Sequence, residues 1–593
     1  MSQRLLFATL VAIVSSGVPT PAQAPTDVVT VFSNARLIQL GASPAISDTA
    51  ILVRNGRVAA VGPVASIAVP AGARQVDLGG RFVLPGLIST HVHISDVAGP
   101  EARAYTDENT KRQLGVFARY GITSLLSLGG EQAPAFAARQ AQSSSIPLDR
   151  SRIFLSGDIV TAATPDAARE QVARVAALKP DMIKIRVDDN LGTSRKMLPE
   201  VFQAVIDETH KRGLRVSAHV FYLDDAKALL RAGVDMIAHS VRDKDIDAEF
   251  IALMRAANVP YCPTLTRELS TFVYESTPAF FEEPFFLAEA DPEMVTRLKE
   301  PARQRVMEQS KSAQAYKAAL VVAERNVKAA ADAGLLVVMG TDSGPFPERF
   351  QGYFEHVEMA MMVAAGLTPA QVLRSATSDA ARALRVTDVG AITPGAWADF
   401  VVLDRNPLED IRNTRAIASV WIAGHRVPAV PSTRLSVDSF VWSPARVIDW
   451  SDFRGAPNMA SKAAAMTAYS ITSEARCDEG RFTFRVESYF LPTRSWVKSA
   501  HLLERASDRT LQHERTHFDL SEVQARRARA GLGALASPCE LPDAARDRLV
   551  APYLAGDATV QAQYDRETIN GTHGPRQAEW DQRVRNWLRE LPR

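Results

Sequence analysis

The chain has 593 residues, of which 46% are hydrophobic and 23% charged, the balance of an ordinary globular protein and not of a disordered or fibrous one. Lys plus Arg total 68 against 67 for Asp plus Glu, a net charge of +1, so no overall field draws the chain to nucleic acid or anionic lipid. Three cysteines, Cys262, Cys477 and Cys539, are too few for a disulfide framework, and the fold must rest on its cores.

The N-terminus reads as a secretory signal over residues 1–24: a short positive start, the apolar run Leu5 to Val14, and the small-residue pattern Ala22-Gln23-Ala24, with Pro25 just after it. A secreted or periplasmic location is therefore expected. No later stretch reaches the roughly 20 apolar residues of a membrane helix. In an oxidising compartment Cys477 and Cys539 could pair, whereas Cys262, in VPYCPTL, reads as packing.

From residue 25 to about 80, short alternating strand patterns such as VVTVFSNARLI and AILVRNGRVAAVG are punctuated by Gly and Asn turns. Over 81–385 buried-strand runs alternate with amphipathic helices: LPGLISTHVH, ITSLLSLG, RIFLSG, MIKIRV, LRVSAHV, VDMIAHS, VPYCPTL and LLVVMGTDS. Eight βα units over about 300 residues predict an α/β fold, a (β/α)8 TIM barrel. Residues 386–430 return to short strands (GAWADFVVLDRN, IASVWIAGHRV), and with 25–80 they predict a small β-sandwich built from both flanks. After the linker-like VPAVPSTRLS, residues 431–593 form a separate α+β domain.

His91-Val92-His93 ends the first barrel strand, and residues two apart in a strand face the same side, so both imidazoles can reach one ion. Lys184, His219, His239 and Asp342 fall at the ends of later strands, on the rim where barrels build their active sites. Four neutral imidazoles and a carboxylate exceed the needs of one hydrolytic ion and suit two divalent ions, expected to be zinc. A lysine ammonium cannot ligate a cation, so Lys184 would have to react with carbon dioxide to become a bridging anion. Paired ions would bring a shared water toward hydroxide at neutral pH, and Asp342 would take its proton and pass it to the leaving group.

These motifs, together with MGTDSG and ITPGAWADFVVLDRNPL, resemble the amidohydrolase superfamily, in its imidazolonepropionase-like and Xaa-Pro dipeptidase-like branch, over about Val28 to Val427. The resemblance implies one ion on His91, His93 and Asp342, a second on His219 and His239, and a carbamylated Lys184 as the bridge. It also implies hydrolysis of an amide, peptide or lactam bond in a small-molecule or short-peptide substrate. The family's dipeptidases carry a small, Gly-rich segment where this chain has Arg186-Val187-Asp188-Asp189.

Arg186 and Arg267 are candidates for holding a substrate carboxylate. The insertion STFVYESTPAFFEEPFFLAEADP, with Tyr274, Phe280, Phe281, Phe285 and Phe286, reads as a rim loop able to close on an apolar substrate, and His356 and Glu358 as supporting groups.

In the C-terminal region His513-Glu514-Arg515-Thr516-His517 matches HExxH within a long helix. Four residues along a helix turn the chain back to nearly the same face, so His513 and His517 address one zinc ion with Glu514 as general base. Glu522 projects from the opposite face, so a third ligand must come from another element: His573, with Asp565 as the alternative, and Tyr564 as an oxyanion donor. WSDFRGAPN, HERTHFDLSEVQAR and YDRETINGTHGPRQAEWD resemble the family of predicted secreted zinc-dependent proteases, over about Ser439 to Leu588. The alternative reading is a metal-dependent lactonase or phosphotriesterase barrel with a non-catalytic C-terminal interaction domain. Homo-oligomerisation is left open.

Overall fold

The computed structural model describes residues 28–592 apart from 39, 41–45, 100, 103–104, 144–147, 429–438, 456, 459–460, 462, 479–480, 499–506, 542–548 and 555. The secretory signal and most of the linker expected after Val427 lie outside the described residues.

The chain starts with four strands, β1 (Val29–Leu37), β2 (Ile46–Arg54), β3 (Arg57–Pro63) and β4 (Arg74–Pro85). It then enters the barrel through β5 (Leu87–Val92), β6 (Ile122–Ser127), β7 (Arg152–Leu155), β8 (Ile183–Val187), β9 (Val216–Val220), β10 (Met236–Ala238) and β11 (Tyr261–Cys262). Parallel pairing joins β5 to β6 to β7, and β8 through β11 in order. Parallel bridges Val160 to Ile185, Tyr261 to Val337 and Val92 to Ser343 complete the ring. The run LLVVMGTDS, expected as a full strand, contributes only the bridges at Val337 and Ser343, yet Thr90 N still donates to the Met339 carbonyl (2.8 Å). Strand interiors are buried on both faces, as a parallel barrel wrapped by helices requires.

Between strands the helices begin and end where local chemistry directs. Thr164 and Asp247 cap helices Pro165–Ala177 and Ala248–Ala257 through their side chains, and Gly233, at φ 94°, closes Leu223–Ala232 in the left-handed conformation that glycine tolerates.

Strands β12 (Phe400–Leu403), β13 (Ile417–Ile422) and β14 (His425–Arg426) return to the first four, and both flanks hydrogen-bond in one seven-stranded sheet, in the order β14-β13-β12-β4-β1-β2-β3. At its core Phe32 packs edge-on against Phe400 and Trp421, whose rings stack on each other. Asp399 ties this sheet to the barrel: it accepts from Arg152 Nε (2.8 Å) and from the Ala423 amide (2.7 Å), with both charged side chains buried. The C-terminal part pairs a long hairpin, β15 (Tyr469–Asp478) with β16 (Arg481–Phe490), against helix Ser507–Gly533. Helices Asp557–Thr568 and Gly574–Glu590 pack on that helix, and Cys477 is disulfide-bonded to Cys539. No helix among the described residues is long and apolar enough to cross a membrane.

Candidate metal centre

The pleat of β5 turns His91 and the following His93 to one side, and their rings stand 5.6 Å apart. His93 Nδ1–H donates to the Gly129 carbonyl (3.2 Å), which leaves Nε2 as the lone-pair nitrogen, 2.8 Å from Asp342 Oδ1. His91 Nε2 lies 3.3 Å from the same oxygen, and neither ring nitrogen of this fully buried side chain has a hydrogen-bond partner among the described residues. Ligand atoms of His91, His239 and Asp342 fall within 4.8 Å of one another, so this triad takes a histidine from each of the two expected pairs. His219 completes the row, its ring 4.1 Å from that of His239.

The second nitrogens fix the orientation of these rings. His219 Nε2–H donates to Asp188 Oδ2 (2.7 Å), which leaves Nδ1 as the lone-pair nitrogen, and His239 Nδ1 meets Thr264 Oγ1 at 2.6 Å. Burial holds both His219 and His239 well below the usual imidazole range, so both are neutral near pH 7, as ligands must be. Asp342 goes the other way. Burial alone would raise it, but the guanidinium of Arg349 on Oδ2 and the two imidazoles of β5 hold it well below the usual carboxylate range. Asp342 (φ 59°), His239 (φ 71°) and Thr264 (φ 49°) adopt left-handed backbone conformations at strand ends, a strain that clusters where side chains must be aimed.

Lys184, on β8, carries a buried Nζ with no hydrogen-bond partner among the described residues, and burial pulls its pKa down to about 8 against the attraction of Asp342. An ammonium would not be left bare in such a place. The orphaned amine, the orphaned His91 ring and the lone pairs converging on one carboxylate oxygen fit a site built around cations.

Several expected substrate residues are engaged elsewhere. Arg267 is buried, with Nη1 2.5 Å from Glu268 Oε1 and its guanidinium 4.4 Å from the ring of Tyr316, so it is a scaffold charge and not a free carboxylate clamp. Tyr274 is fully buried and donates to the Glu348 carbonyl (2.6 Å). The insertion around it is no open loop but a string of short helices whose rings, Phe281 and Phe286 among them, pack inward with Phe350. His356 spends both ring nitrogens, on Thr414 Oγ1 (2.9 Å) and the Tyr120 carbonyl (2.8 Å). Arg186 is half-exposed and stands beside Asp188 (3.6 Å) and Asn190.

Glu358 accepts from the Leu265 and Thr266 amides and from Thr266 Oγ1, and burial pushes it up to about 8. The folded state therefore binds a proton more tightly than the unfolded chain. The associated stability is complete below the ordinary carboxyl pKa and is lost as pH rises through about 8. Denaturant titrations of Glu358→Gln are expected to lack that decline; an identical pH profile in both proteins would refute it.

Sequence reasoning passed over three residues. Asp188 stands out in the sequence only as part of a divergent segment, Arg349 carries no motif, and Thr264 acts through a strand-end turn. In the C-terminal domain, His513, His517 and Asp565 come together, whereas His573 does not join them: its Nδ1 accepts from the Arg576 amide (3.2 Å) and caps the last helix. Tyr564 stacks on His513 and is bonded to Gln577, so its hydroxyl is not a free oxyanion donor.

A sequence model described as the Amidohydrolase family matches residues 82–427. The imidazolonepropionase of Streptomyces avermitilis is 25% identical over 434 residues, covering 65% of this chain and 89% of its own length. That of Deinococcus radiodurans is 25% identical over 405 residues, with 64% and 92% covered. Among solved structures, phenylurea hydrolase B superposes with a TM-score of 0.55 at 22% identity, over 69% of this chain and 99% of its own. A Xaa-Pro dipeptidase with bound methionine in the active site gives 0.53 at 21%, over 67% and 99%. At such identities the two structures speak for the barrel fold alone.

Proposed function

This chain belongs to the amidohydrolase family, and from that premise we propose an exported enzyme that hydrolyses an amide, peptide or lactam bond at a two-metal centre in the barrel. The convergence of His91 and His93 on a single oxygen of Asp342 carries the reading, because His93, with its hydrogen on Nδ1, turns Nε2 to that oxygen and the buried His91 ring has no hydrogen-bond partner among the described residues. His91, His93 and Asp342 would hold one ion, His219 and His239 the other, and a carbamylated Lys184 would join them. When bound, such ions polarise a carbonyl and bring the pKa of a water toward neutrality. Carbamylation needs the neutral amine: Nζ attacks carbon dioxide, an N–C bond forms and one N–H proton leaves. The depressed pKa of Lys184 keeps a share of that form available. Asp342, kept ionised by Arg349, is the group able to take a proton from the attacking water and return it to the leaving nitrogen.

The disulfide between Cys477 and Cys539 supports export, since such bonds persist in oxidising compartments. The HExxH helix supports a second, peptidase-like activity in the C-terminal domain. The relatives' name, imidazolonepropionase, makes cyclic amides the first substrates to try. A panel of lactams, dipeptides, N-acyl amino acids, lactones and phosphotriesters, run with the metal-depleted and zinc-reloaded protein, tests the proposal. Turnover confined to the last two classes would replace it with the lactonase or phosphotriesterase reading.

Asp188 fixes the tautomer of His219. Asp188→Ala is expected to weaken metal binding about 10- to 100-fold, the usual cost of losing a carboxylate behind a ligating histidine. Chelator competition measures this, and Asp188→Asn, which can still accept, should retain more affinity than the alanine variant. Equal affinities in wild type and Asp188→Ala would remove the residue from the site.

A further inference from the structure

We propose that Arg349 reads a substrate carboxylate, holding it on the edge of the guanidinium that Asp342 does not use. The substrate class this implies, an amide with a carboxylate and an apolar group on its leaving side, rests on the hydrolase reading above; the anion subsite does not. Arg349 Nη1 is committed to Asp342, on Oδ2 and on the backbone carbonyl (3.4 Å). Nε and Nη2 have no hydrogen-bond partner among the described residues, although the side chain is only 10% exposed. A guanidinium this withdrawn from solvent ordinarily spends its donors. The Nε–H and Nη2–H that remain are the parallel pair able to take both oxygens of a carboxylate. Arg186 and Arg267, expected for this task, give their charge to Asp188 and Glu268 instead.

Arg349 lines a cleft of about 50 Å3 between the turn at Val97–Gly99, the aromatic insertion and residues 344–353. That is room for about four waters, and so for a carboxylate and the first carbons behind it. The cleft borders the metal centre. A Cβ on Gly344 would fall 2.1 Å from the His93 carbonyl, and Gln351 Nε2 donates to that same oxygen (2.9 Å). Phe346, 53% exposed, stands at the cleft with its ring 5.4 Å from the Arg349 guanidinium, and Phe350 and Met294 add apolar wall. The other charges are engaged: Glu289 takes Arg119 on both oxygens, Asp291 Oδ1 caps the helix Pro292–Leu298, and Arg112 donates to Asn109 Oδ1 and the Val97 carbonyl. Arg112, Arg119 and Arg349 thus balance Glu289, Asp291 and Asp342. With Asp342 committed to the cations of the centre, one positive charge remains, at Arg349. Asp342 is also the group that returns a proton to the leaving nitrogen, and a single guanidinium separates it from the subsite. The carboxylate therefore belongs to the leaving group, as in an N-acyl amino acid.

Calorimetric titration of the full-length protein, metal-loaded and chelator-stripped, with hydrocinnamate and with its neutral amide tests the subsite. The acid is expected to bind stripped wild type, and to bind Arg349→Lys about 10- to 100-fold more weakly, because lysine keeps a charge beside Asp342 but loses the fork. The amide should bind both proteins alike. Since Phe346 is exposed, changes there spare the fold: Phe346→Glu should bind the acid about 10-fold more weakly than Phe346→Gln, with no difference for the amide. In turnover, kcat/KM for N-acetylphenylalanine relative to N-phenethylacetamide, which lacks only the carboxylate, should fall about 10- to 100-fold in Arg349→Lys. A merely structural role would leave that ratio where it is. Acid bound only by the loaded protein, or equally by wild type and Arg349→Lys, overturns the subsite. Acid binding as expected with no turnover of any amide upholds the subsite and overturns only the hydrolase reading.

Discussion

Lys184→Met is expected to lower kcat/KM by roughly 1,000-fold while leaving the fold as stable as before. The Lewis-acid and water-activating contributions at stake are worth several kcal/mol, and each ~1.4 kcal/mol is a factor of ten in rate. In the metal-free proteins stability should hold or rise, because the unmodified amine is buried with no hydrogen-bond partner among the described residues, a cost that a thioether of similar length removes. The combination is diagnostic: a lysine that merely braced β8 would lose stability and activity together. Metal analysis should show the pair of ions bound less tightly in the variant. Reloading of stripped wild type should be slow in buffer freed of carbon dioxide and fast after bicarbonate is added, with no bicarbonate effect in the variant. Unchanged turnover and metal content in Lys184→Met would remove the carbamate from the scheme.

The strand-end anchors were legible because two periodicities write them into the sequence. A parallel barrel repeats strand and helix at a readable interval, and the chemistry sits where each strand stops. His91 and His93 show the pleat directly, and Lys184, His219, His239 and Asp342 each close an apolar run. What the sequence does not encode locally is who touches whom across the rim. Asp188 and His219 are 31 residues apart and meet only because β8 and β9 are paired in register, with Arg186 opposite His219. In the C-terminal domain the helical period sets His513 beside His517. The choice of Asp565 over His573 depends instead on the turn at 569–571, where Ile569 is left-handed without any residue signal to announce it. The aromatic insertion misled for a related reason: composition says that rings will be buried, not whether they cover a substrate or one another.

Glu268→Gln is expected to be the most destabilising conservative change in the barrel, at about 3–5 kcal/mol, the cost of stripping one partner from a buried ion pair. Glu268 is fully buried, and its Oε1 lies 2.9 Å from Arg242 Nε and 2.5 Å from Arg267 Nη1, so one carboxylate serves two buried guanidiniums. Arg242 is further held by the Val220 and Ser240 carbonyls (2.7 Å each) and lies 4.6 Å from the ring of Phe221, contacts that orient the cation without neutralising it. Glutamine keeps the shape and an acceptor oxygen but removes the charge, leaving two like charges to repel in a region water cannot reach. The two arginines flank β10 and the segment after β11, and both depress His219, so the damage should extend to the metal centre. Thermal unfolding should shift down by several degrees, and the variant's loss of metal affinity should be reduced by Glu268→Gln/Arg267→Met, which returns the cluster from two positive charges to the single net positive charge of the wild-type triad. If Glu268→Gln unfolds at the wild-type temperature, the buried triad is not what holds this side of the barrel together, and Arg267 returns as a candidate for a substrate carboxylate.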